Sequence, residues 1–192
     1  MHTLDDSLAA GLDVIFVGIN PSLYSVERGH YFARRANKFW PSLSRSRLSL
    51  RARIGLGVDV LTAEHDRELA RYGIGFTDLV KRPTAKASEL GARELAAGVD
   101  ALVEKLRRYA PRIACFHGIT GYRHVGRALG DPAATIALGL QALRLGDTRV
   151  FLVPNPSGAN AHYTRDDQVR WYDALANALE QRARRPRRTQ RA

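Results

Sequence analysis

The sequence predicts an α/β fold with a mostly parallel central sheet. Three short apolar runs carry that expectation: residues 13–18 (DVIFVG), 112–117 (RIACFH) and 148–153 (TRVFLV). Each is too short for a buried helix and rich in β-branched or aromatic residues, as buried strands are. Segments of helical period lie between and after them, and strands that alternate with helices favour parallel pairing. At 192 residues the chain is long enough to bury one core without staples. One domain is expected over residues 1–181, followed by a disordered Arg-rich tail at 182–192 that has few apolar residues.

The elements follow in order. Residues 13–18 form the first strand. Thr62 is read as the cap of a helix over residues 64–71, and residues 73–80 as a further strand. The clearest helix is 88–109, where Leu95, Val99, Leu102, Val103 and Leu106 share one face and Pro111 ends the run. The strand 112–117 leads into a helix over 119–129, then a looser segment with a short strand near 135–138. After the strand 148–153, Thr164 caps a last helix, with Asp166 and Asp167 in its first turn. Tyr172, Leu175, Ala176 and Leu179 form its apolar stripe. Trp40 and Trp171 are expected to pack in helices, and Cys115 in the core.

Formal net charge is +11 and is unevenly spread. Residues 182–192 hold six Arg and no acid. Residues 28–58 hold Arg28, Arg34, Arg35, Lys38, Arg45, Arg47, Arg51 and Arg53, again with no acid, and the rest of the chain is net −3. Two basic patches on a nearly balanced body fit a polyanionic partner. The single cysteine excludes a disulfide framework, a cysteine-ligated iron–sulfur cluster and a cysteine-based zinc site within one chain. No HExxH or paired His–carboxylate spacing suggests a metal, and no GxGxxG or GxxxxGK loop suggests a nucleotide-binding enzyme. There is no basic-then-apolar leader and no apolar run near 18 residues. The expected setting is the cytoplasm, at the nucleoid if the source is bacterial, and away from any membrane.

Ligands of open α/β sheets bind at the carboxyl ends of the strands. Two strand ends here carry the same tripeptide, Asn20-Pro21-Ser22 and Asn155-Pro156-Ser157. Asn before Pro marks a turn. One such turn is only a turn; two of them, with a basic segment directly after the first, point to a site. An Asn carboxamide offers one acceptor and two donors and takes no proton at neutral pH. It suits chemistry that holds a water or a leaving group in place.

These residues lie within longer blocks. Gly18-Ile19-Asn20-Pro21-Ser22-Leu23, with Gly29-His30-Tyr31-Phe32 and Ala36-Asn37-Lys38-Phe39-Trp40, resembles the mismatch-specific uracil/thymine DNA glycosylases, the Mug/TDG family of the uracil-DNA glycosylase superfamily. The stretch 72–80 (YGIGFTDLV) with Arg82-Pro83-Thr84, and Asn155-Pro156-Ser157-Gly158, resemble a second and a third family block in the same order. The resemblance spans residues 12–179. It implies a three-layer α/β/α fold, uracil-DNA glycosylase-like, and a monofunctional hydrolase that flips a base from duplex DNA and leaves an abasic site. The expected substrate is uracil opposite guanine, with thymine less favoured. The expected partner is double-stranded DNA with a mismatched or deaminated base, met by a monomer that needs no cofactor and no metal.

By the same resemblance, Asn20 positions the water that attacks the sugar C1′. Backbone N–H groups around Ile19 and Asn20 favour the departing base anion. Phe32 stacks on the flipped base, Ser25 forms the pocket wall facing uracil C5, and Asn155 touches the flipped nucleotide. Ser157, Gly158, Ala159, Asn160 and Ala161 match the loop that fills the gap in the duplex. Arg34, Arg35 and Lys38 are expected on phosphates, as are His30 and His162 on the DNA face. The whole basic segment from Arg28 to Arg53 is expected to line the DNA groove. His117 is read as a hydrogen-bonded structural residue.

Two positions depart from the family pattern. The leading wedge residue is larger in some relatives, whereas Ala159 fills a base-sized gap poorly, so Asn160 or His162 has to compensate. Asp78 stands where relatives commonly carry Lys or Asn. It is read either as a catalytic carboxylate that assists the water or the sugar cation, or as a strand-end cap. The strongest uracil-excising family has Asp and His where this chain has Asn20 and Asn155, and the iron–sulfur branch needs four cysteines, so neither fits. Two alternatives stay open: a superfamily glycosylase for hypoxanthine or xanthine, and a catalytically silent DNA-binding module of the same fold.

Overall fold

The computed structural model describes residues 2–131 and 136–181. The chain runs β1 (Val14–Gly18), α1 (Leu23–Arg28), α2 (Phe39–Arg45), α3 (Leu50–Leu56), β2 (Ile74–Asp78), α4 (Ala92–Tyr109), β3 (Ile113–His117), α5 (Ile119–Ala128), β4 (Gly139–Leu145), β5 (Thr148–Val153) and α6 (Arg165–Glu180). The sheet order is β2-β1-β3-β5-β4, parallel throughout except for β4, which pairs antiparallel with β5.

Each parallel strand is apolar on both faces, which is why it reads as a run and not as an alternation. Val14, Phe16, Ile74, Phe76, Cys115 and Phe151 turn to one side, against Phe39, Trp40 and Leu43 of α2 and Tyr172 and Leu175 of α6. Ile15, Val17, Ala114, Phe116, Val150 and Leu152 turn to the other, against Val99, Leu102 and Leu106 of α4 and Tyr122 and Val125 of α5. Helices on both faces of one sheet make three layers. The register pairs Gly18 with Asp78, Val17 with Phe116 and His117 with Val153. Four strand ends therefore meet along one rim, and the two Asn-Pro-Ser loops leave from it.

Some elements differ from expectation. The helix read from residue 88 begins at Ala92, because Glu89 folds back in a 3₁₀ turn to accept the Lys86 N–H at 2.8 Å. The helix expected over 64–71 is instead two 3₁₀ turns, Ala63–His65 and Glu68–Tyr72. Asp66 breaks the run between them. Its carboxylate turns inward, 2% exposed, to accept the Tyr31 N–H at 2.8 Å and to meet His30 Nδ1 at 3.1 Å. No strand forms at residues 136–138, and residues 132–135 lie outside the described residues. The strand there is β4, joined to β5 by the two-residue turn Gly146-Asp147. The tail expected at 182–192 also lies outside the described residues.

The basic segment is divided. Arg45 pairs with Asp166 at 2.7 Å, and Arg47 reaches Asn177 and Glu180, with its own N–H on Asp173. These two bind α6 instead of lining a groove, a correction to the expectation that the whole segment faces DNA. The N-terminal segment covers the outer edge of β2, where Ser7 and Phe76 exchange both backbone hydrogen bonds at 2.9 Å.

Candidate active site

A cleft of about 610 Å³ opens over the strand ends Gly18, Asp78 and His117. Ile19, Asn20, Ser25, Phe32, Arg34, Asn155, Ser157, Gly158 and Ala159 line it, with Asp78. Lys38, Asn160 and His162 stand behind or beside it. Ten of the residues singled out in the sequence thus share one concave surface of the size that takes a small-molecule ligand.

Asn20 is held from below. Its Nδ2 donates to the Arg82 carbonyl at 2.9 Å and to Thr84 Oγ1 at 2.7 Å. Thr84 Oγ1 donates its own proton to the Lys86 carbonyl at 2.9 Å, so toward Asn20 it can only accept. The amide is therefore fixed with both donors spent and Oδ1 unpaired among the described residues. Arg82 anchors this support on α4 through two bonds to Glu94, at 2.7 and 2.9 Å. Thr84 belongs to the second block, but nothing in its local sequence shows that its hydroxyl orients a residue 64 positions away.

Phe32 has φ +54°, a strained value for a residue with a side chain. The preceding Tyr31 is tied through its N–H to Asp66 and through its carbonyl to the Trp40 indole N–H at 2.9 Å. These bonds hold the turn, and the Phe32 ring stacks on Phe39 at 4.2 Å, half-buried at the cleft wall. Ser25 is buried, and its Oγ accepts from Ser22, which caps α1.

The third block is a tied loop. Asn155 Oδ1 accepts the Ser157 N–H at 3.0 Å, and the Asn155 carbonyl accepts from Asn160 Nδ2 at 2.9 Å. Asn160 Oδ1 in turn accepts the His162 N–H. The Asn160 amide is thus used within the loop, and the exposed ring of His162 is the larger side chain left at its tip. Lys38 donates its N–H to the Pro156 carbonyl and its ammonium to the carbonyls of Asn160 and Tyr163. A side chain at Gly158 would collide with the Ala36 backbone, 2.7 Å from the ideal Cβ. His30 pairs with Asp66, and Arg34 lies over the Tyr24 ring at 5.3 Å.

Asp78 is 4% exposed, and its Oδ2 has no hydrogen bond among the described residues. Burial pushes its carboxyl up to about 6, against the opposing pull of Lys81, whose Nζ lies 3.6 Å away. The Tyr31 hydroxyl is itself pushed well above the usual phenol range by burial and by the Asp78 charge. The Asp78 side chain folds over Gly18, where an added Cβ would collide with Oδ1. His117 is held neutral, pushed down to about 3 by burial, with Nε2 3.1 Å from the Tyr172 hydroxyl and Nδ1 unpartnered. Among the described residues, no group of three or more His, Cys, Asp and Glu side chains is placed to hold a metal ion. No helix among them is long and apolar enough to cross a membrane.

The cleft thus joins an oriented carboxamide, an aromatic platform, a buried carboxylate and a loop that projects beside them. A family model described as the uracil DNA glycosylase superfamily matches residues 6–180, a span that includes β1–β5, α1–α6 and every residue of the cleft except Leu4. The chain therefore belongs to the uracil DNA glycosylase superfamily, with the DNA glycosylase chemistry, a hydrolysis in DNA repair, that membership carries.

Proposed function

We propose that the protein is a monofunctional glycosylase that excises uracil from G·U mismatches in duplex DNA and leaves an abasic site. The observation that carries this reading is the Asn20 carboxamide, its donors taken by Arg82 and Thr84 and its oxygen unpaired at the cleft among the described residues. An acceptor fixed in that way holds a water by one of its protons and aims a lone pair at C1′. The flipped base stacks on Phe32, with the small wall of Ser25 beside C5, which admits uracil and compact 5-substituents.

As the N-glycosidic bond breaks, its electron pair leaves with the base and positive charge grows on the sugar. The Asp78 carboxylate opposes that charge and accepts the proton that the water releases as its oxygen bonds to C1′. Backbone N–H groups around Ile19 and Asn20 favour the base anion. Arg34 meets a phosphate, Asn155 the flipped nucleotide, and the loop 157–162 the gap, with His162 as its larger side chain. Lys38 is spent on loop carbonyls and Lys81 on Asp6, so neither supplies the free amine that a lyase step requires.

A duplex panel with U·G, U·A, T·G and hypoxanthine·T, followed by alkaline cleavage of abasic sites, tests the reading. Product is expected first from U·G. No product from any duplex would overturn the enzyme reading and favour a DNA-binding module, and product from hypoxanthine alone would reassign the base. Asn20→Ala should lower the single-turnover rate at least about 100-fold. An unchanged rate would show that the water lies elsewhere.

A further inference from the structure

The cleft has a charged floor that the proposed reaction does not use. Asp6, from the segment that covers the edge of β2, sits beneath Asp78. Its Oδ1 accepts from Lys81 at 2.9 Å and from Thr77 Oγ1 at 2.8 Å, and its Oδ2 meets Lys105 of α4 at 2.6 Å. Lys81 is the shared member. It lies 2.9 Å from Asp6, 3.6 Å from Asp78 Oδ2 and 3.3 Å from the Tyr31 hydroxyl. Leu4, on the same segment, is buried and lines the cleft itself.

We propose that Asp6 and Lys81 are positioning residues for excision: between them they decide how readily Asp78 carries its negative charge in the cleft. The inference rests on the proposed role of Asp78. Two carboxylates compete for one ammonium, and Asp6 holds it at the shorter distance. Burial opposes the Asp6 charge, yet Lys105 and Lys81 outweigh it and hold its carboxyl below the usual range. Asp6 is thus a standing negative charge that draws Lys81 away and also repels charge on Asp78 directly. The other polar groups around Asp78 are the Tyr31 hydroxyl, with Asp66 behind it, the neutral His117 at the end of β3 and the Asn20 amide at the end of β1. None of these is a second cation. The N-terminal segment is in this way part of the active site's electrostatics through Asp6, which is absent from the cleft lining that Leu4 joins.

The test uses opposite signs. An opposite charge at 4–6 Å lowers the pKa of a carboxyl by about 1–3. Asp6→Asn releases Lys81 to Asp78, so the acid limb of the single-turnover pH profile should move down by about one pH unit. Lys81→Met removes the cation, so the limb should move up by a similar amount, and Lys81→Arg should restore it. Lys105→Met serves if Lys81→Met does not fold: Asp6 then grips Lys81 harder, and the limb should move up. The Asp78 carboxyl carbon, followed by NMR titration in the full chain, reads the same changes without catalysis. An Asp78 titration that is unchanged, or that moves the same way in Asp6→Asn and Lys81→Met, would overturn the inference. Movement by NMR with a pH profile that ignores it, and an Asp78→Asn variant that keeps its rate, would instead overturn the catalytic role of Asp78 and leave the coupling standing.

Discussion

Replacing Asp78 by Asn should make the protein more stable and the enzyme slower. Burial raises this carboxyl from 3.8 to about 6. A group whose folded value lies above its unfolded value binds the proton more tightly when folded. Its contribution is complete below pH 3.8 and is lost as the pH rises through about 6. A rise of that size corresponds to roughly 3 kcal/mol, so at neutral pH the native state carries an ionised carboxylate at about that cost. Asn keeps the shape and removes the charge. Urea or thermal melts at pH 7.5 should show a gain of up to about 3 kcal/mol, or roughly 6–12 °C for a chain of this size. At pH 3.5 the two proteins should differ little. Single-turnover excision of U·G by the same variant should fall at least about 100-fold, the low end of the span ascribed to general bases. An Asn variant that is less stable at pH 7.5, or equally stabilised at both pH values, would refute the claim that this carboxylate is held at a cost for chemistry.

Thr84→Val keeps the volume but removes the hydroxyl that accepts from Asn20; excision should fall about tenfold with DNA affinity unchanged, and Thr84→Ser should recover the rate. Lys38→Met leaves two loop carbonyls without their donor and should destabilise the protein by about 1–3 kcal/mol in denaturant melts, beyond the loss expected of a surface charge. Arg34→Ala should weaken binding to all duplexes alike and reduce the slope of log K against log salt by about one, measured by fluorescence anisotropy. His117 is neutral when folded but takes a proton near 6.5 when unfolded, so its stabilising share is present above pH 6.5 and lost as the pH falls toward 3. His117→Leu should flatten the acid side of the stability profile over that window.

The four parallel strands were legible because burial on both faces keeps them mostly apolar, with polar residues such as Asp78, His117 and Thr148 at their ends. β4 was not, since its residues from Gly139 to Arg144 alternate between half-exposed and exposed and form no apolar run. Its signal was the Gly146-Asp147 turn. The two Asn loops were legible from their repetition at strand ends, and the sheet register brings them to one cleft. Their supports were not. Thr84 reaches Asn20 across 64 residues, and Asp6 reaches Lys81 across 75. Contacts of that span depend on the register of whole strands, which local pattern does not encode. Charge alone also did not show which bases have partners within the chain. Arg45, Arg47 and Lys38 read as one basic stripe with Arg34, yet the first two are taken by acids and amides of α6 and the third by backbone carbonyls.

Lys38 has a wider meaning than a tether. It fastens the segment that presents the aromatic ring to the loop that the proposed function sends into the duplex, and the close approach of Gly158 to Ala36 adds a second fastening. The two sides of the cleft are therefore tied to each other by hydrogen bonds and close packing. A stiff body cannot share in the distortion of its partner. The helix of DNA must do all the bending and unpairing, and a base pair that is already weak opens with the least resistance. On the proposed function, preference for a mismatch would arise from how easily the lesion comes loose as well as from the contacts it meets once inside.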